Sequence, residues 1–385
     1  MEYQKEQIKA IGNSVVVVGN NHHNTLGLVR SLGKGGYNVA CYIVDAAIDE
    51  SFVSKSKYIQ VFKLFSTFCS LLNCLLEKNN KETRIPVFTT SDAAAEFLDS
   101  HYDELSQYYI LNSCGHKQGG ISYWMNKERM LSKAKECGLV IPWGIQLNPT
   151  LKDIPNILPF PCILKPQKSS VAGKENFHIC YNRKQLYNAL NKVSNNCQKI
   201  LVQEYIDCEY EVLIMGMRSS RKDTIILPGC LHKLRVCNNI KSLGMLAYAY
   251  TTGTIDKAID IIAMKNYLEL IDYDGIFSME FMISKGKAYF LEINLRNDGT
   301  QFCFEGAGVN LPTLWIKASK DEDISLYKTQ LDKKYCMVEI NYIKNMDWHH
   351  PLTALKEWKL ASLFALVDKR DLMPSLYRIL YSIVK

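Results

Sequence analysis

Residues 279–296 have the sequence MEFMISKGKAYFLEINLR, in which two largely apolar arms flank a Ser-Lys-Gly-Lys turn. Aromatic and β-branched residues in both arms are typical of strands, and the turn between them predicts a β-hairpin centred on Gly286. Residues two apart in a strand project to the same face. Glu292 and Asn294 should therefore project together, and the hairpin should bring Glu280 across to them.

These three side chains would present oxygen atoms on one face of the hairpin. Two carboxylates and an amide oxygen form the hard-oxygen set that Mg²⁺ prefers, and this ion keeps its remaining positions for water and phosphate oxygens. The alternative is that Glu280 and Glu292 are ordinary exposed strand residues. The hairpin alone does not separate these two interpretations.

A second motif indicates phosphate binding. The stretch PCILKP at 161–166 places Lys165 at the end of an apolar strand. A lysine in such a position needs an anionic partner, and phosphate is a suitable one. The following KSSVAGK at 168–174 is small, polar and basic, so its backbone N–H groups could cover phosphates. An ordinary surface hairpin is the alternative for this loop.

A third motif has features of a nucleoside site. LVQEYI at 201–206 predicts a strand that runs into a break, and DCEYEV follows at 207–212. Exposed main chain at such a break can pair with the adenine edge, and a carboxylate a few residues later can accept hydrogen bonds from ribose hydroxyls.

The N-terminal third predicts a doubly wound α/β unit. Residues 14–18 form a β-branched run, residues 25–34 have helical apolar spacing, and residues 38–44 form a second run. A further strand at 86–90 precedes Thr90-Ser91-Asp92, which should cap a helix over 93–108. The turn after the first strand is not GxGxxG, so the dinucleotide fingerprint is absent. His22 and His23 in that turn could line a substrate site, although a solvated turn is the simpler account.

From residue 113 the pattern changes to α+β with antiparallel signals. Asn126 should cap a helix over 127–136 that ends at Gly138, and Ile141-Pro142 marks a boundary. The remaining elements are five strands and two helices, at 162–165, 200–204, 211–217, 277–283 and 288–293, and at 184–195 and 256–272 respectively.

Composition sets the outer limits. A chain of 385 residues with 47% apolar and 22% charged residues suggests a soluble protein of two or three domains. It lacks a roughly 20-residue apolar segment and the apolar core of a signal peptide, which predicts a cytoplasmic protein. The 13 cysteines show no paired spacing, as expected for reduced, mostly buried thiols.

The net charge of +7 fits either binding of anionic nucleotides or a plain solvated surface. No Lys/Arg block interleaved with aromatic residues indicates a nucleic-acid partner, so none is expected.

Taken in order along the chain, these motifs resemble the ATP-grasp superfamily. The matching features are Lys127, Lys165, the small-residue loop, residues 204–209 and the hairpin carboxylates. YWMNKERMLSKAKECGLVIP at 123–142 is similar to the family's lysine-bearing helix and the boundary after it. The resemblance covers about residues 14–315. TTSD at 89–92 and the C-terminal stretch look like the branch of carbamoyl-phosphate synthase large subunits and D-aspartate ligases, many of which belong to cell-envelope or polysaccharide biosynthesis.

The resemblance implies a domain order. Residues 1–112 would form a Rossmann-like pre-ATP-grasp domain, and residues 113–330 a two-lobed ATP-grasp domain divided at about residue 200. The first lobe would include a phosphate-covering loop at 167–175, and residues 331–385 would form a C-terminal segment. The fold class is therefore α/β followed by α+β.

The resemblance also implies an ATP site, made of Lys127, Lys165, Ser169, Ser170, Gly173, Glu204, Tyr205, Ile206 and Glu209. The two lysines would contact phosphates, and the serines and glycine would belong to the covering loop. Glu204 would meet adenine through its backbone carbonyl and Ile206 through its amide. Glu209 would hold the ribose, with Glu211 as the neighbouring alternative.

Glu280, Glu292 and Asn294 would bind one or two Mg²⁺ ions, with Mn²⁺ as the alternative metal. Arg296 and Lys165 would be the catalytic cations, steadying the transferred phosphoryl group. One departure concerns Ser278, because several relatives carry an arginine two residues before the first metal carboxylate.

The implied activity is that of an ATP- and Mg²⁺-dependent ligase. A small-molecule carboxylate would be activated as an acyl phosphate and passed to an amine or thiol, with ADP as co-product. A catalytically weak or inactive ATP-binding protein of the same fold is the alternative, and Ser278 is the hint for it.

Residues 360–385 mix aromatic, aliphatic and basic side chains. Packing against the protein body is the simpler expectation for this tail. A basic amphipathic helix in peripheral contact with a membrane is the alternative. The sequence is also compatible with a homodimer.

Overall fold

The computed structural model describes residues 13–48, 50–77, 83–147, 155–166, 177–193, 200–234, 245–346 and 350–384. Within these ranges the strands form three sheets. The predicted phosphate-covering loop at 167–175, with Ser169, Ser170 and Gly173, lies outside the described residues.

The first sheet is a doubly wound parallel sheet with strand order β3-β2-β1-β4-β5. Its elements are β1 (Ser14–Gly19), α1 (His23–Lys34), β2 (Asn38–Val44), β3 (Ile59–Phe65), α2 (Phe68–Leu76), β4 (Ile85–Thr89), α3 (Asp92–Asp99), α4 (Tyr102–Leu105) and β5 (Tyr109–Leu111). β1 is buried along its whole length, as its run of valines predicts. The Rossmann-like unit predicted from the sequence is confirmed.

One helix in this unit was predicted too long. The helix expected over 93–108 is two short helices, α3 and α4, separated at Ser100 and His101. Ser91 caps α3 as expected, since its side chain accepts from the Ala94 amide at 3.3 Å. The helix stops after Asp99, whose buried carboxylate instead accepts from the amides of Ile121 and Ser122.

The second sheet is antiparallel, with order β7-β10-β8-β9. This part of the chain contains β6 (Ser113–Cys114), α5 (Gly120–Trp124), α6 (Lys127–Glu136), β7 (Gly144–Leu147), β8 (Cys162–Pro166), β9 (His178–Cys180), α7 (Arg183–Val193) and β10 (Ile200–Glu204). α6 has the predicted bounds, because Asn126 accepts from the amides of Glu128 and Arg129 and Gly138 adopts a φ of 97°.

The third sheet is the largest, with order β16-β15-β11-β13-β14-β17-β18. β12 and β6 pair with β11 and β15 at its margins. Its strands and flanking helices are β11 (Tyr210–Ser219), β12 (Thr224–Ile226), β13 (Cys230–Lys233), β14 (Tyr248–Thr252), α8 (Ile261–Leu270), β15 (Tyr273–Ser284), β16 (Lys287–Asn294), α9 (Gln301–Gly306), α10 (Leu311–Ser319), β17 (Tyr335–Met337), α11 (Glu339–Lys344), α12 (Pro351–Leu360), β18 (Leu363–Phe364) and α13 (Met373–Val384). α8 begins at Ile261 and not at 256, because Asp260 caps it.

A shared core joins the first and third sheets. Residues of α1, α9 and α10 pack together with one face of each sheet. At its centre Trp315 is fully buried, meets Phe88 edge-on at 5.1 Å, and donates to Asp274 at 2.8 Å. The first and third sheets are therefore held together by continuous packing.

The C-terminal segment is built into this body. β17 and β18 extend the third sheet, and Asp371 forms a buried ion pair with Arg30 of α1 at 2.9 Å. The tail therefore packs against the body up to α13, whose outer side exposes Leu376, Ile379 and Leu380. The domain boundaries at residues 112 and 330 remain predictions.

Among the described helices, none combines the length and the apolar character needed to cross a bilayer. All cysteines within the described ranges are free thiols, and most are buried.

Candidate functional site

The predicted hairpin forms and sets the geometry of the candidate site. β15 and β16 are joined by a tight turn in which Lys285 and Gly286 have φ values of 50° and 71°. The register places Glu280 opposite Glu292 and Ser278 opposite Asn294. The hairpin therefore brings together the three oxygen-bearing side chains assigned from the sequence.

A buried lysine that the sequence analysis missed lies between two carboxylates. Lys233 of β13 contacts Glu211 at 2.7 Å and Glu280 at 3.3 Å, and its side chain is 3% exposed. Burial raises the pKa of Glu280 to about 7, an effect that Lys233 opposes and that the negative charge of Glu292 reinforces. Burial and the neighbouring Glu292 carboxylate thus both oppose ionisation of Glu280.

The same contact corrects one assignment. Glu211 was the alternative ribose ligand, but its carboxylate is buried against Lys233. Because Glu211 and Lys233 are register partners on β11 and β13, their side chains project from the same face of the sheet and form this ion pair.

Two lysines flank Glu292 from different elements. Lys127, the first residue of α6, places its Nζ 3.8 Å from a Glu292 oxygen. Lys165 of β8 donates to the Gln203 side chain at 3.1 Å. Desolvation lowers the pKa of Lys165 to about 8, and the positive charge of Lys127 adds to that shift. Two close ammonium groups form a positive site suited to phosphate.

Arg296 links the end of the hairpin to the first sheet. Its Nε donates to Asp92 at 2.6 Å, and its Nη2 donates to the Asn294 side-chain oxygen at 3.3 Å. The Asn294 amide in turn donates to Ser278 at 3.1 Å. Arg296 therefore supplies positive charge beside Asn294, which also contacts Ser278.

The segment predicted to hold adenine joins β10 to the second and third sheets. The Glu204 amide and carboxylate both bond to Trp143, at 2.8 and 2.9 Å, and the Tyr205 amide donates to Pro161 at 3.0 Å. Within the described part of the chain, the Ile206 amide makes no backbone hydrogen bond.

Glu209 lies at the far end of this segment. One oxygen of its exposed carboxylate accepts from the Lys285 amide in the hairpin turn at 2.8 Å. The contact ties the predicted ribose ligand to the hairpin that carries Glu280 and Glu292.

Comparison with known proteins identifies the domain that these residues build. Residues 135–303 match the sequence profile of the ATP-grasp domain family. Residues 135–303 carry an ATP-grasp domain. No curated protein sequence matches it significantly.

Solved structures show the same fold over most of the chain. An L-amino acid ligase from Bacillus licheniformis is 15% identical with a TM-score of 0.59, and the match covers 80% of this chain and 74% of that one. The ADP complex of an N5-carboxyaminoimidazole ribonucleotide synthetase is 13% identical with a TM-score of 0.64, covering 84% and 81%.

A third structure with this fold is the biotin carboxylase domain of the Hydrogenobacter thermophilus 2-oxoglutarate carboxylase, in complex with MgADP, ADP and bicarbonate. It is 15% identical with a TM-score of 0.62, covering 84% of this chain and 73% of that one. These likenesses confirm the predicted Rossmann-like and ATP-grasp architecture.

The donor set of the ATP-grasp domain fits a hard divalent cation. Within the described ranges no cluster of three or more His, Cys, Asp or Glu side chains is arranged to hold a metal. The hairpin instead offers two carboxylates and an amide oxygen, the hard-oxygen donors that Mg²⁺ prefers. Glu280, Glu292 and Asn294 could therefore hold Mg²⁺.

The two histidines of the first β–α turn lie beside the same crevice. Their rings are 3.9 Å apart, and His22 is exposed while His23 is half-buried. A β-carbon at Gly299 would lie only 3.1 Å from His23 Nε2, so His23 packs against the segment that follows β16. The first β–α turn thus packs beside the segment that follows β16.

Proposed function

We propose that this protein is an ATP- and Mg²⁺-dependent ligase that joins a carboxylate to an amine, or to a thiol, through an acyl phosphate. The observation that carries the proposal is the convergence of two lysines and two carboxylates on one face. Lys127 lies 3.8 Å from Glu292, and Glu292 faces Glu280 across the hairpin. Lysines that bind phosphate and carboxylates that bind Mg²⁺ are the parts that phosphoryl transfer requires.

The nucleotide would lie between the second and third sheets. Its adenine would meet the Glu204 carbonyl and the Ile206 amide beside Tyr205, and its ribose would meet Glu209. Lys127 and Lys165 would contact the phosphates. The role of Ser169, Ser170 and Gly173 in covering the phosphates rests on the family resemblance.

Glu280, Glu292 and Asn294 would hold one or two Mg²⁺ ions, with Mn²⁺ as an alternative. When bound, the metal neutralises charge on the β- and γ-phosphates. Lys233 would keep Glu280 in place and favour its ionised form, because the ammonium group is within 3.3 Å of that carboxylate.

In the first step a substrate carboxylate oxygen would attack the γ-phosphorus, and the bond to the ADP oxygen would break. Lys127, Lys165 and Arg296 would offset the negative charge of this transfer. In the second step the amine would attack the acyl carbonyl carbon, releasing phosphate as a proton leaves the nitrogen. Arg296 would lie beside the proposed metal ligands in both steps, because its Nη2 donates to the Asn294 side chain at 3.3 Å.

The structures with this fold support a carbon–nitrogen ligase, since they include an L-amino acid ligase and a carboxyaminoimidazole ribonucleotide synthetase. We also propose a role in cell-envelope or polysaccharide biosynthesis, a cytoplasmic location and a homodimer. The proposal includes no nucleic-acid partner, and it includes peripheral contact of α13 with a membrane.

An ADP-release assay tests the proposal. Pairs of amino acids, hydroxy acids and amines are supplied with ATP and Mg²⁺, and we expect ADP only when a carboxylate and its acceptor are both present. ATP binding without ADP release from any pair would favour the alternative of an inactive ATP-binding protein, for which Ser278 is the motive. A control without Mg²⁺ separates metal-dependent turnover from background hydrolysis.

We predict that ATP affinity depends on the charge of Lys165. The pKa of Lys165 is lowered to about 8, so the side chain is charged below that pH and neutral above it. Affinity for a non-hydrolysable ATP analogue should therefore fall as the pH rises through about 8. Lys165→Arg stays charged and should remove this fall. Lys165→Ala should bind roughly tenfold more weakly or worse at pH 7, given the strength of a charged hydrogen bond.

Calorimetric titration between pH 6.5 and 9.5, roughly one and a half units on either side of that pKa, measures the effect. Lys133→Ala is the matched control, since Lys133 pairs with Glu136 on the exposed side of α6. An affinity for the analogue that is the same in Lys165→Ala and wild type would mean that Lys165 is structural.

A further inference from the structure

We propose that Arg378, His22 and His23 form a subsite for an anionic group of the substrate, a carboxylate or a phosphate, beside the phosphoryl-transfer site. The inference deepens the proposed function and rests on it for the identity of the ligand as a substrate. It assigns a binding role to α13, which lies outside the part of the chain that matches the ATP-grasp profile.

Part of the Arg378 guanidinium group has no hydrogen-bond partner among the residues that the structure describes. The group stacks over the Phe52 ring, with its central carbon 4.5 Å from the ring centre. Its Nη1 is buried and, among the described residues, has no hydrogen-bond partner. Glu339 is the acidic residue that acts on it, but both Glu339 oxygens already accept from the amides of Leu366 and Val367. A buried cationic donor without a partner is costly, and an anionic oxygen would satisfy it.

The histidines present a second donor to the same region. Ser51, the neighbour of the Phe52 ring on which Arg378 stacks, donates to the Asn21 side chain at 2.7 Å, one residue before His22. The positive charge of Arg378 contributes to lowering the pKa of both His22 and His23, after desolvation and, for His23, the neighbouring ring. Both rings are therefore neutral at pH 7. His22 Nδ1 accepts from the Asn24 amide at 3.2 Å, so the neutral ring carries its proton on Nε2 and can donate there.

The location is the one where doubly wound sheets bind ligands. β1 lies between β2 and β4, so the direction of winding reverses at β1 and β4, and a crevice opens at their carboxyl ends. The Asn24 side chain joins this edge of the first sheet to the segment after β16, because it donates to the carbonyls of Thr90 and Asn297 at 2.9 and 3.2 Å. An anion bound by His22 and Arg378 would thus lie next to the end of β16.

The charges around the subsite favour an anion. Arg296 is already paired with Asp92, and Asp298 accepts from Thr300 through both the amide and the hydroxyl. Arg378 differs from Arg296 in that its buried Nη1 has no hydrogen-bond partner among the described residues. The ligand class is a substrate that carries a carboxylate or phosphate besides the group that reacts, such as an amino acid or a sugar phosphate.

Histidine NMR tests the subsite directly. Protein with ¹³C-labelled histidine is titrated with inorganic phosphate and, separately, with malonate, without nucleotide. We expect saturable shifts of the His22 and His23 ring signals, assigned with His22→Gln and His23→Gln. Arg378→Gln should weaken the response at least tenfold, and Arg378→Lys should retain part of it. The stronger of the two anions indicates whether the site prefers phosphate or carboxylate.

Arg370→Gln is the matched control, because Arg370 is an exposed arginine of the same segment and should leave the titration unchanged. Wild-type histidine signals that do not respond to either anion would overturn the proposal, as would an equal response in Arg378→Gln. Binding of an ATP analogue with Mg²⁺ should be unchanged in Arg378→Gln and reports that the variant is folded. Failure to find ligase activity would leave the anion titration intact, so the two proposals fail separately.

Discussion

Glu292→Ala is expected to abolish turnover while leaving the fold intact. Glu292 lies opposite Glu280 on the hairpin and 3.8 Å from Lys127, and about a third of its side chain is exposed, so it supports the site and not the core. Loss of a ligand to the proposed Mg²⁺ should reduce the rate on the order of a thousandfold or more, about 4 kcal/mol of transition-state stabilisation. Asn294→Ala should behave similarly.

The measurement is Mg²⁺-dependent ADP release, with the thermal unfolding midpoint recorded for each variant. Glu269→Ala is the matched control, since it removes an exposed carboxylate from the adjacent helix α8 and should keep wild-type activity. Wild-type turnover in Glu292→Ala would remove the metal assignment. A large drop in the unfolding midpoint would instead assign Glu292 a structural role.

Asp371→Ala is expected to destabilise the whole protein by about 3–5 kcal/mol, the cost of leaving one member of a buried ion pair without its partner. The Asp371 carboxylate accepts from Arg30 at 2.9 Å, Ser56 at 2.7 Å and the Lys57 amide at 2.9 Å. The Arg30 and Asp371 side chains are only 4% and 2% exposed. The pair joins the C-terminal segment to α1 of the first sheet.

Urea unfolding followed by circular dichroism gives the comparison. Asp332→Ala serves as the control, because its ion pair with Lys328 is exposed and such pairs contribute little. The double substitution Arg30→Met with Asp371→Leu should recover much of the lost stability, since it leaves no unpaired charge. Equal unfolding midpoints for Asp371→Ala and the control would show that the C-terminal segment is not needed to hold the first sheet.

Local signals in the sequence predicted the elements that form the site. The hairpin, α6 and the first β–α–β unit were found because their caps, turns and apolar periods lie within a few residues of one another. Glu280 and Glu292 could be paired from the sequence for the same reason, since one tight turn at Gly286 separates their strands.

Lys233 and Arg378 could not be found in this way. The partners of Lys233 lie 22 and 47 residues away, on strands whose pairing depends on the whole third sheet. Arg378 reaches the first β–α turn only because β17 and β18, of three and two residues, carry the tail back across the body. Strands that short leave little periodicity to detect. The break between α3 and α4 was missed because Asp99 is held by a long-range contact with Ile121.

The formation of an acyl phosphate is the centre of this account, and oxygen-isotope transfer tests it most directly. The carboxylate substrate identified by the ADP-release assay is prepared with ¹⁸O in its carboxyl group and turned over with ATP, Mg²⁺ and the acceptor. The phosphate released is then analysed by ³¹P NMR or mass spectrometry. Because a carboxylate oxygen attacks the γ-phosphorus and leaves with it, we predict that ¹⁸O appears in the phosphate and that ADP is the nucleotide product. Unlabelled phosphate, or AMP with pyrophosphate, would contradict the account.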